Sequence, residues 1–174
     1  MNKKITHQIN GLAKRDQAMR KKATDTGIWD FDIDRQNTIA LKKIIKQFGW
    51  PTIRMVGKKA SFNAWLLAQH ADHALRFQKK VLRLLRDIYE KEKDIDPMNI
   101  AFLTDRILVA EGKKQIFGTQ FYVTKSGWKP RPIKNMKELN DLRKQYGLRS
   151  YQEDVGAAKK LQATPAKRTS ADNQ

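Results

Sequence analysis

The sequence predicts a mostly helical domain, built on a long antiparallel helix pair, with a small C-terminal β-hairpin. Two observations carry this. Apolar residues recur at helical spacing as far as about Ala110, between residues that start and stop helices, and a two-residue period appears only around Gln120–Thr124. A chain of 174 residues holds one domain with a core more comfortably than two. Residues 1–155 are expected to form that domain. Residues 156–174 are expected to be a flexible basic tail, because from about Lys159 the side chains are small or charged.

The first helix is expected from Ile5 to about Ala23, with Ile9, Leu12, Ala13 and Met19 on one side and Asp16, Gln17 and Arg20 on its polar face. Thr24 to Asp34 reads as an irregular connection pinned by the rings of Trp29 and Phe31. Asp34 is the expected N-cap of the next helix, striped by Leu41, Ile44, Ile45 and Phe48, with Gly49 as its C-cap and Trp50-Pro51 preventing it from resuming. Ser61 opens the longest expected helix, running to about Lys91, whose apolar face holds Leu66, His70, Phe77, Val81, Leu84 and Ile88. Asp96 and Pro97 begin another, burying Met98, Ala101, Phe102, Leu108 and Val109 with Asp105 at the centre of the stripe. A hairpin follows, with a second strand made an edge by Pro130 and Pro132, then a last helix over Met136 to Gln145, capped by Asn135 and ended by Gly147.

Hydrophobic residues make up 40% and charged residues 31%, a globular profile, and no apolar run approaches the roughly 20 residues of a membrane-spanning helix. The basic start, Met1 to Gln8, lacks the apolar stretch of a secretory signal, so a cytoplasmic location is expected. The absence of cysteine removes disulfides, thiolate nucleophiles and sulfur metal ligands. The net charge of +18 would attract nucleic acid or another polyanion, but the basic residues are spread along the chain without zinc-finger spacing or an RNA-binding signature.

The candidate chemistry lies at Gln69-His70-Ala71-Asp72-His73. An imidazole on an apolar face needs partners for both ring nitrogens, and His73 lies roughly 60° to one side on the same wheel. Folding the two helices back about a turn near Lys93 sets Asp105 across from about Leu82, roughly 18 Å along the helix from His70. It sets His70 opposite Gln115–Gln120, which carries two carboxamides, a hydroxyl and a glycine. The expected pocket therefore combines His70, His73, Gln69, Gln115, Thr119 and Gln120, with Glu111 nearby. One histidine would carry the proton while the amides orient a small polar molecule or peptide. Asp105 would either pair with Arg20 or Arg15, or join the histidines as a catalytic group through curvature of the long helix, with Arg106 beside it on the substrate. A metal shared by His70 and His73 is the rival use, needing a third ligand from Asp72, Asp105 or Glu111, and no cofactor motif is present.

The blocks Phe48-Gly49-Trp50-Pro51-Thr52, Ala64-Trp65-Leu66-Leu67, Gln69-His70-Ala71-Asp72-His73, Phe77-Gln78, Leu103-Thr104-Asp105-Arg106, Glu111-Gly112, Gln115 and Gly118-Thr119-Gln120 resemble those of a bacterial family known only as a domain of unknown function. Asp16-Gln17 with Arg20 and Pro130-Arg131-Pro132-Ile133 extend the likeness, which runs from about Lys14 to Tyr151. The resemblance implies no activity, substrate or cofactor. It does imply that the polar groups isolated by helix geometry belong to one shared site. The sequence thus points to a small helical enzyme or small-molecule-binding domain, hydrolytic and independent of metal. The alternatives are a polyanion binder acting through charge and a partner-binding module using Trp29 and Trp128.

Overall fold

A computed structural model describes residues 1–124 and 127–163, with side chains as far as Lys159. It is mostly helical, with one two-stranded antiparallel hairpin among the described residues. Helix α1 (Lys3–Thr26) starts on Asn2, whose side chain accepts from the Ile5 amide at 3.2 Å, and ends on Gly27 in the left-handed region. Its buried stripe is Ile5, Ile9, Ala13, Asp16, Met19 and Ala23, so Asp16 belongs to the apolar face and not to the polar one. Helix α2 (Phe31–Phe48) starts on Asp30, four residues before the expected cap. Asp34 therefore lies within its first turn, and Phe48 at its far end is exposed. Trp50 is buried, and Gly49 caps α2 at φ 76° as expected.

The expected long helix is broken. After the single turn α3 (Ile53–Val56), helix α4 (Lys58–Gln69) stops at His70, a 3₁₀ turn covers Asp72–Ala74, and α5 (Leu75–Glu92) resumes. Neither proline nor glycine marks the break, and its cause is tertiary. Buried Gln78 on α5 donates from Nε2 to the carbonyls of Ala68 and Gln69 at 3.2 and 3.1 Å, satisfying acceptors that the end of α4 sets free. The interruption also re-aims the side chains. His73, expected within the buried half of one continuous helix, is exposed.

Helix α6 (Pro97–Ala110) begins as predicted on Asp96 with Pro97 in its first turn, packs against α4 and α5, and buries Ile100, Ala101, Leu103 and Ile107. Met98, Phe102, Leu108 and Val109 are only half-buried. The core lies between α1, α2, α4, α5 and α6 and includes Ile9, Leu41, Leu67, Val81, Leu85, Ile100 and Leu103. No helix among the described residues is long and apolar enough to cross a membrane.

Strands β1 (Phe121–Thr124) and β2 (Gly127–Pro130) pair with Phe121 opposite Pro130. Helix α7 (Leu139–Gln145) is shorter than expected, beginning beyond the Asn135 turn. A further helix, α8 (Tyr151–Ala163), continues through residues 156–163, where tail was expected; residues 164–174 lie outside the described part. Buried Arg143 ties α7 to α8 by pairing with Asp154, and to the preceding loop by donating to the Phe117 carbonyl at 2.5 Å.

That loop, Gln115–Gln120, hangs on Asp105. The carboxylate has no exposure and accepts from the amides of Ile116 (2.7 Å), Phe117 (3.0 Å) and Thr119 (2.9 Å), and from the Thr119 hydroxyl at 3.0 Å. The expected ion pair with Arg20 or Arg15 does not form; backbone N–H groups take its place, which satisfies a buried carboxylate equally well. Replacing Asp105 with Ala is expected to lower stability by about 2–4 kcal/mol, because several buried amides lose their acceptor together. Urea denaturation measures it, and a change below about 0.5 kcal/mol would show the latch to be idle.

Candidate functional site

A carboxylate on the buried face of α1 needs polar partners, and the helix itself provides the first two. One turn on, Arg20 reaches Asp16 with Nε and Nη2, each at 3.3 Å, and Gln17 donates to Asp16 Oδ2 at 2.7 Å. The third partner comes from the end of α4: His70 Nδ1 lies 3.1 and 3.0 Å from the two Asp16 oxygens. Arg20 is held in turn by Asp34 of α2 at 2.7 Å and by the Trp29 ring, 5.5 Å from its guanidinium carbon.

Nδ1 of His70 also lies 2.9 Å from Arg20 Nε, and one nitrogen cannot accept from the guanidinium and donate to the carboxylate in the same state. A bare Nδ1 would set its lone pair against two carboxylate oxygens. A protonated Nδ1 donates to Asp16, and the Arg20 Nε proton turns to Asp16 Oδ2. The charges therefore favour the proton on Nδ1, which leaves the lone pair on Nε2. Nε2 has no partner among the described residues. An imidazole oriented in this way by a buried carboxylate can take up and release a proton at its other ring nitrogen.

Burial pushes the Asp16 carboxyl upward, but the hydrogen bond and charge of His70, followed by the charge of Arg20, outweigh it and hold the group below the ordinary carboxylate range. Asp34 moves the other way: burial raises it, the neighbouring Asp16 charge adds to the rise, and Arg20 only partly offsets both. Asp16 is therefore the carboxylate kept ionised beside the imidazole.

His70 opens onto a cleft of about 510 Å³. Its apolar walls are Trp65, Leu66, Phe102, Phe121 and Trp128, and Ala157 and Ala158 of α8 close one side. Trp65 is fixed by donating from Nε1 to the Asn99 carbonyl at 3.0 Å and by an edge contact with Phe102, with centroids 6.0 Å apart. Gln69, Arg106, Thr119 and Gln120 supply polar groups. Arg106 is held by a two-point pair with Asp72, 2.7 and 2.5 Å, and Thr119 by Asp105 from behind.

Five of the expected site residues, His70, Gln69, Arg106, Thr119 and Gln120, thus line one cleft, across the interval that helix arithmetic proposed. The other four stand elsewhere. His73 lines a second groove of about 440 Å³ with Trp29, Phe31 and Arg35, a groove that meets the cleft only at His70 and Arg106. Asp105 lies beneath the loop with its oxygens occupied. Gln115 is a clamp inside that loop, donating to the carbonyls of Gln120 and Arg131 and accepting from the Gln120 amide at 2.8 Å. Glu111, at the end of α6, pairs with Lys113 and Lys79, which pull its carboxyl down to about 2. Among the described residues no three His, Asp or Glu side chains are grouped to hold a metal ion.

Asp16, the partner of His70, and Asp34, the partner of Arg20, are not among the residues the sequence reading gave to the site. A signal for Asp16 was present, because its position completes the apolar stripe of α1 between Ala13 and Met19. Nothing local marks Asp34, which reaches the site only through the packing of α1 on α2.

The model of a family of unknown function (DUF6624) matches residues 4–161. No curated protein and no solved structure matches the chain.

The depressed carboxyl of Asp16 fixes a sign. Between its folded and unfolded values the unfolded chain binds more protons, so the stability it contributes is present above about pH 4 and is lost as pH falls through the lower, folded value. Asp34, being raised, acts in the opposite sense. Asp16→Asn is expected to be less stable than the parent at neutral pH and to lose less of its remaining stability between about pH 5 and about pH 3, as followed by urea unfolding. Parallel pH profiles for the two proteins would contradict the assignment.

Proposed function

We propose, for a chain that belongs to this family of unknown function and takes no activity from its membership, that the cleft binds a small molecule and that His70 is its proton carrier. The observation that carries the proposal is the contact of His70 Nδ1 with the buried Asp16 carboxylate, made where the imidazole borders a cleft. In this reading Nε2 takes a proton from water or from a substrate hydroxyl, Asp16 stabilises the imidazolium so formed, and the same nitrogen returns the proton to a leaving group. That sequence suits hydrolysis. Arg20 keeps Asp16 charged and in place, while Thr119, Gln120 and Arg106 orient the polar end of the substrate. The ring-lined wall takes an apolar body.

A second reading is favoured by the net charge of +18: a non-catalytic polyanion binder, acting through basic residues that are distributed along the chain. It requires neither the cleft nor His70, which makes the two readings separable.

The purified protein is incubated with a pooled small-metabolite extract, and depletion is followed by mass spectrometry. The parent chain is expected to consume at least one compound. His70→Ala is expected to do so about 10²–10⁴-fold more slowly, and Asp16→Asn to fall in the same direction with the fold intact. Equal consumption by the parent and His70→Ala, or none by either, contradicts the enzyme reading. Retention on immobilised DNA that falls steeply with salt and is unchanged in His70→Ala would support the polyanion reading in its place.

A further inference from the structure

We infer that the ligand of the cleft presents a planar amide edge, as a primary carboxamide or a cyclic amide does, and that Gln69 recognises it through a pair of hydrogen bonds. The inference rests on the reading of the cleft as a small-molecule site and names the chemistry it selects. Gln69 is the last residue of α4 and lines the cleft beside His70, yet it is only 5% exposed. Its Oε1 is buried without a hydrogen-bond partner, and its Nε2 makes no hydrogen bond among the described residues. Buried carboxamides are ordinarily satisfied, and the other glutamines near this site are engaged. Gln78 gives Nε2 to the carbonyls of Ala68 and Gln69, Gln115 uses both ends within its loop, and Gln120 commits its Nε2 to Thr119 Oγ1 at 3.0 Å. Of the two glutamines lining the cleft, Gln69 is the one with both ends uncommitted.

The side chain is also held in position. Gln78 ties down its backbone carbonyl at 3.1 Å, and burial keeps the amide from swinging out to bulk water. A fixed carboxamide sets one acceptor and one donor side by side. The complement must then offer a donor beside an acceptor in one plane. An amide edge does so, whereas an ester or carboxylate offers acceptors alone and an ammonium donors alone. Trp65, held between Phe62 and Phe102, lines the cleft with Gln69 and reports on what binds there.

The test is an NMR titration of the full chain with benzamide, methyl benzoate and benzoate, read on the indole signals of Trp65 and Trp128. Benzamide is expected to bind at least about tenfold more tightly than methyl benzoate, since a site built to exchange two hydrogen bonds rejects a ligand that lacks one of them. Gln69→Leu should abolish that preference, weakening benzamide more than methyl benzoate, which can only accept from Nε2. Gln69→Glu, which keeps the shape but removes the donor, should weaken benzamide in the same direction and serves if the leucine variant does not fold. Equal affinity for benzamide and methyl benzoate in the parent chain overturns the inference, and so does a preference that survives both substitutions. In either case the cleft still stands as a binding site, because the probes move its tryptophans. If no probe moves either indole, the cleft reading fails and the inference falls with it.

Discussion

The carboxylate of Asp16 has no exposed surface, and the site is arranged around keeping it charged. Left alone on the apolar face of α1 it would be costly to bury, so the fold surrounds it with Arg20, Gln17 and the Nδ1 of His70. Each of those partners is then constrained by something else. Arg20 is shared with Asp34 of α2, and His70 stands where α4 ends. Three helices are thus fixed relative to one another by a single ionised group. The imidazole that results has Nδ1 engaged by Asp16 and borders the cleft.

A second buried carboxylate does the same for the opposite wall. Asp105 gathers three backbone amides and the Thr119 hydroxyl, and so presents Thr119 and Gln120 to the cleft at fixed height. Between the two stands the interruption at His70–Ala74, stabilised by Gln78. Without that break α4 and α5 would be one rod, and His70 and Asp72 would not sit at a turn, where Asp72 can take Arg106 and His70 can take Asp16. The break is a tertiary feature: the carbonyls it releases are caught by a side chain nine residues further on in one case and ten in the other.

Much of this was legible in the sequence. Periodicity and capping residues located α1, α2, α6 and the hairpin, because Asp96-Pro97 and Gly49-Trp50-Pro51 are local signals that act where they stand. His70 lines the same cleft as Thr119 and Gln120, although the continuous helix along which that distance was reckoned stops at Gln69. The errors share a cause. His73 was put on a buried face by extending one helix through a break that no glycine or proline announces. Gln115 was read as facing a substrate along with Thr119 and Gln120, but a loop that returns on itself needs internal acceptors, and Gln115 and Asp105 supply them. Asp16 was assigned to the polar face because a charge was expected to seek water, although its spacing put it among Ala13 and Met19.

The central claim is that the Asp16 carboxylate places the imidazole proton of His70 on Nδ1 and leaves Nε2 as the free base. Long-range ¹H–¹⁵N correlation of the histidine ring reports this directly at a pH where the ring is neutral, since the two tautomers give distinct nitrogen shifts. The account predicts a protonated-type Nδ1 and a lone-pair-type Nε2 for His70, a pattern lost in Asp16→Asn. The reverse pattern, with Nε2 carrying the proton and Nδ1 accepting from Arg20, would contradict it.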